Sequence, residues 1–92
     1  MQELKDAIRG IIEQRIKQGY YFDSHTVISL LLQEHHDTYL LGFVYYKTDT
    51  KRYHAEISKM VKDSGLVEDI HGESFSKNVH DNFNGCHLWK RI

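Results

Sequence analysis

Apolar positions fall into blocks of differing spacing, and the spacing predicts the elements. In residues 3–18, Leu4, Ile8, Ile11, Ile12 and Ile16 recur at helical spacing, with Asp6, Arg9, Glu13 and Lys17 opposite them. This is the period of an amphipathic helix, and Gly19 is a natural stop. After the aromatic run Tyr20-Tyr21-Phe22, either Asp23 or Ser24 can cap a new helix by accepting a backbone N–H. Residues 24–34 carry Val27, Ile28, Leu30, Leu31 and Leu32 almost all round, the pattern of the most buried helix.

Residues 50–63 separate their faces more sharply. With Arg52 at the origin of a wheel stepped by about 100° per residue, Met60, Tyr53, Ile57 and Val61 fall in one arc of about 100°. Lys51, Lys62, Lys59 and Arg52 fall in another, with Ala55 inside it, Ser58 at its edge, and Glu56 and Asp63 just beyond Arg52. One face is suited to a core; the other is free for phosphates and base edges. A solvated surface helix has the same pattern, so both readings stand at this point.

Residues 38–47, TYLLGFVYYK, fit two elements. Aromatic and β-branched content favours a strand; Asp37 in front and helices on both sides favour a helix. Helix is the choice over 38–46, because a short helix, the turn Thr48-Asp49-Thr50 and the basic helix then make a helix-turn-helix. Ser64-Gly65 stops the basic helix. Leu66–His71 and Cys86–Arg91 read as an antiparallel pair of strands, and GESFSKNVHDNFNG between them as a long loop. The expected core is Ile28, Leu31, Leu32, Ile57, Val61 and Leu88. Trp89 shares a strand face with His87 and Arg91 and is expected to seal the core; an exposed anchor for a partner is the alternative.

This order of elements resembles a winged-helix domain. The likeness is carried by 37–63, the helix-turn-helix, and by 66–92, the wing hairpin, with 1–18 as an accessory helix. It implies a single α+β domain over 1–92, with three to four helices followed by a C-terminal two-stranded antiparallel hairpin. It also implies that the second helix of the pair enters a major groove and that the wing loop reaches phosphates or the minor groove. Carried onto this chain, the implied contacts to double-stranded DNA are Lys51, Arg52, Ser58, Lys59 and Lys62, with Ser76, Lys77 and Asn78 in the loop. The loop departs from the family in having one lysine and no arginine. The segments FDSH at 22–25 and GESFSKN at 72–78 are also similar to small bacterial proteins to which no activity is attached.

Charge modifies this picture. The net charge is -1 with neutral histidines, whereas dedicated nucleic-acid binders are often strongly basic. The distribution is uneven, however: residues 23–46 carry three acids and no base, while residues 47–63 carry five bases and three acids. A local field matters more to a charged ligand than the net sum. The single cysteine excludes an internal disulfide and suits a reducing, cytoplasmic setting. The N-terminus is charged from its third residue and lacks the apolar stretch of a signal peptide. The longest apolar run, Tyr39 to Tyr46, is too short to span a bilayer.

Catalytic and metal chemistry find little support. His80, Cys86 and His87 approach a cluster, but their spacing matches no structural zinc pattern. Adjacent residues on a strand also face apart, which separates Cys86 from His87 as ligands or as a catalytic pair. Asp23-Ser24-His25 has the letters of a triad, yet consecutive residues cannot place the histidine between the other two. No glycine-rich phosphate loop occurs. The expectation is a non-enzymatic protein without metal or cofactor. Sequence-specific DNA binding is its first function. A protein-interaction module using Trp89, Tyr45-Tyr46 or the first helix is the alternative. Residues 3–18 are expected to cover the core with their apolar stripe; a homodimer through that helix is the alternative.

Overall fold

The computed structural model describes the backbone of residues 1–77 and 83–92 and the side chains of residues 1–70 and 87–92. Its architecture is α+β: α1 (Gln2–Arg15), β1 (Tyr21–Asp23), α2 (Ser24–Glu34), α3 (His36–Tyr46), α4 (Thr50–Lys62), β2 (Val67–Lys77) and β3 (Phe83–Arg91). The three strands form one antiparallel sheet in the order β1-β3-β2. The expected pair of strands is therefore joined by a third. Tyr21, Phe22 and Asp23 lie opposite Lys90, Trp89 and Leu88. Three residues are too few for a period to register, and what makes them a strand is a partner near the far end of the chain.

That partner also explains why α1 ends at Arg15, short of the expected 18. Ile16 turns to an extended conformation (φ -122°, ψ 114°) yet stays in the core. Gly19, at φ 88°, then brings its N–H to the Arg91 carbonyl at 2.6 Å. A left-handed turn of this kind is open to glycine at little cost. The chain thus leaves the helix early to reach the edge of β3.

The core lies between the helices and the sheet. Leu4, Ile8, Ile11 and Ile12 of α1, Val27, Ile28 and Leu31 of α2, and Tyr53, Ile57 and Val61 of α4 are at most 2% exposed. The stripe of α1 is therefore occupied within the chain, and α1 is a core helix rather than an accessory one. Arg15 pairs with Glu34 of α2 at 3.1 Å, and Arg9 donates to the Ser64 carbonyl just beyond α4. Four of the six expected core residues are buried, whereas Leu32 and Leu88 are only half-buried. On β3 the inward face belongs to Trp89, 2% exposed, and Arg91, 9% exposed.

Side-chain caps set the starts of α2 and α4, whereas α3 begins at His36 without one and takes Asp37, expected in front of it, into its first turn. Asp23 accepts from the Thr26 N–H at 2.9 Å, and Asp49 from the Arg52 N–H at 2.8 Å, each satisfying a donor the helix leaves unpaired. The ambiguous segment is a helix, with Tyr39 and Gly42 buried against α1 and α4. The strands run further than expected: β2 continues to Lys77 and β3 begins at Phe83, with a register irregularity between Asp69 and Glu73. Much of the stretch expected as a loop is thus paired backbone. Cross-strand N–H···O bonds do not need the apolar alternation that marks a strand packed on a core.

Candidate functional site

Helix α4 is held from three directions, which determines what its outer face presents. Tyr53 is fully buried and donates its hydroxyl to the Tyr39 carbonyl at 2.6 Å. It is ringed by Tyr39 (centroids 5.1 Å apart), Phe43 (5.5 Å) and Tyr46 (6.0 Å). Burial drives the Tyr53 phenol far above its ordinary ionisation range and raises Tyr39 also, because a phenolate loses its hydration there. At the next residue, about 100° round the helix, His54 Nε2 lies 2.7 Å from the Tyr39 hydroxyl. Farther along, the Ser58 hydroxyl lies 2.8 Å from that of Ser24, which also accepts the Trp89 indole N–H at 3.0 Å. Ser24 is 4% exposed, so this relay ties α4, α2 and β3 together in the interior.

Ser58 therefore faces inward as part of that tie and does not stand on the free face with the lysines. The other α4 candidates do: Lys51, Arg52, Lys59 and Lys62 are exposed, with exposed Ala55 among them. Arg52 lies 3.9 Å from Asp49, an exposed pair that solvent weakens. Lys51, Lys59 and Lys62 make no ion pair among the described residues. Lys59 and Lys62 occupy the last turn, where cations also complement the helix dipole. Ser76 and Lys77 have their backbone at the end of β2, opposite Asn84 and Phe83. Their side chains, and Asn78 as a whole, lie outside the described residues.

Two further features were legible in the sequence only in part. The His87 ring stacks on Trp89 with centroids 4.3 Å apart, and its Nε2 lies 2.7 Å from the Asp69 carboxylate. Period-2 alternation signals the shared face of His87 and Trp89, but nothing local signals Asp69, which the β2–β3 register supplies opposite Trp89. Second, α3 is apolar on both sides. Leu40, Leu41, Val44 and Tyr45 are 47%, 61%, 68% and 62% exposed, and at about 100° per residue they share one outward arc. Of the three expected protein contacts, Trp89 and the stripe of α1 are buried, Tyr46 is half-buried, and Tyr45 stands on the surface.

Among the described residues no group of three or more His, Cys, Asp or Glu side chains is placed to hold a metal ion. No described helix is long and apolar enough to cross a membrane. Comparison with protein-family models, with curated proteins and with solved structures returns no match to this chain.

Proposed function

We propose that this chain is a winged-helix-like, non-enzymatic domain that binds double-stranded DNA in a sequence-specific, regulatory role in the cytoplasm. The observation that carries the reading is α4. Its apolar side is locked by Tyr53, Ile57 and Val61, while its four basic side chains stand together in solvent. The element order adds support: α3, a turn centred on Lys47 to Asp49, and α4 run directly into a β2–β3 ribbon, as a helix-turn-helix followed by a wing would. A rigid helix presents charge without the entropy cost of ordering a loop. In this reading Arg52 reads a base edge, Lys51, Lys59 and Lys62 neutralise phosphates, and Ala55 lets the backbone approach the groove. The winged-helix resemblance assigns Ser76, Lys77 and Asn78 to contacts with the neighbouring backbone.

Fluorescence anisotropy with a random duplex at about 50 mM salt tests this, since nonspecific attraction is strongest at low salt. Binding is expected, with Lys59→Gln lowering the slope of log affinity against log salt by about 0.9. Arg52→Ala is expected to relax preference at one base pair in a selected site. No binding at that salt overturns the proposal. The second reading, a protein-interaction module, is favoured by one observation, the exposed apolar arc of α3.

A further inference from the structure

We infer that the outward face of α3 is a self-association surface, on which two copies of this chain pair their α3 helices antiparallel about a two-fold axis. This deepens the second reading by naming its partner. Its test reads association and not duplex binding, so the two proposals fail separately.

Three observations support a second copy as the occupant. The first is composition. Leu40, Leu41, Val44 and Tyr45 form one exposed arc on an 11-residue helix whose opposite side, Tyr39 and Gly42, is already buried. Solvent exposure alone does not call for an apolar outer face on a helix of this length, whereas a helix packed on both sides requires one.

The second is symmetry of charge. The arc is centred between Gly42 and Phe43 in sequence, with exposed Asp37 near one end of the helix and exposed Lys47 at the other. An antiparallel two-fold pairing about that centre sets Asp37 of each copy beside Lys47 of the other. A parallel pairing would set like charges together and lose both attractions. An isologous contact requires this kind of self-complementarity.

The third is area. The four side chains offer roughly 400 Å² of apolar surface per copy, within the range of patches that mark interaction sites. Two such faces with their polar rims bury on the order of 1,000 Å² in total, a reversible and not an obligate dimer. The α1 stripe, by contrast, has no apolar surface left to offer, because the chain's own core covers it.

Sedimentation velocity over about two decades of protein concentration tests the inference, since association of this size follows mass action. A monomer–dimer equilibrium is expected. Val44→Lys and Leu41→Lys should each shift the midpoint at least tenfold toward monomer. Both positions are more than half exposed, and an unchanged circular dichroism melt will show that the fold is kept. Asp37→Lys and Lys47→Asp should each weaken the dimer, and the two together should restore it. That rescue is specific to antiparallel pairing. A monomer at every concentration overturns the inference and leaves the face to a different protein. A dimer indifferent to Val44→Lys and Leu41→Lys overturns it too, as does failure of the charge exchange to rescue.

Discussion

Replacing Gly42 with alanine tests how α3 sits against α1 and α4. A methyl group at this position would lie 2.9 Å from Leu4 Cδ2 and 3.1 Å from Tyr53 Cζ, and nearer still to the Tyr53 hydroxyl oxygen. Real side chains do not pack that closely, so something must move. Tyr53 cannot swing away freely: it is fully buried, and its hydroxyl is held by the Tyr39 carbonyl. Giving up that bond in the interior costs about 1–3 kcal/mol, and displacing α1 instead costs a similar 1–3 kcal/mol of overpacking. Against this, alanine in a helix gains about 1 kcal/mol over glycine. The expected net effect is a loss of about 1 kcal/mol, within a span of about 0–2 kcal/mol, a drop in Tm on the order of 5 °C for a chain of this size. Urea unfolding followed by circular dichroism gives the midpoint. Tyr53→Phe removes the closest obstructing atom, so Gly42→Ala should cost less in that background, by about 1 kcal/mol in a double-mutant cycle. If Gly42→Ala stabilises by the full helix-propensity gain of about 1 kcal/mol, or if the cycle shows no coupling, the packing of α3 on Tyr53 is not as described.

Two other predictions concern the interior. Ser24→Ala removes the acceptor of the Trp89 indole N–H and should cost about 1–3 kcal/mol, the penalty for a buried donor left unmatched; Ser58→Ala should cost less, because Ser58 is half-exposed and water can replace its bond. Denaturation followed by emission of the single tryptophan checks the order, and equal losses would refute it. Stability should also fall at high pH. Tyr39 and Tyr53 keep their protons in the folded state above the ordinary range, while the unfolded phenols ionise near 10. The unfolded chain then binds fewer protons, so stability is full below about pH 10 and is lost as pH rises beyond it. Phenolate absorbance of these two tyrosines should appear together with the loss of helical circular dichroism. Its appearance in a chain that remains folded would count against their burial.

The helices were legible where a local cause sets them. Asp23 caps its helix as its position ahead of an apolar pattern implies, because a cap is a contact across three residues of the same chain; Asp49, expected only as a turn residue, caps α4 in the same way. The inward arc of α4 was legible for the same reason: Tyr53, Ile57, Met60 and Val61 repeat at one period and are buried together. The open basic face follows from the same wheel, except at Ser58. That residue stood at the edge of its arc, and only the positions of Ser24 and Trp89 decide that it turns inward.

Tertiary structure alone decided the rest, wherever the deciding partner is remote. The apolar residues of 38–47 make no single stripe, since both sides of α3 are apolar and its inner side relies on a glycine under Tyr53; periodicity cannot rank strand against helix in such a run. β1 exists because β3 lies alongside it. Trp89 is buried as its strand face implied, but only that pairing decides that Leu88, also expected in the core, lies on the other, half-covered face of β3. Asp69 and His87 meet through register. A pattern along the chain reports contacts within a few residues, while strand pairing and the choice between two apolar faces depend on surfaces that come together only when the chain has folded.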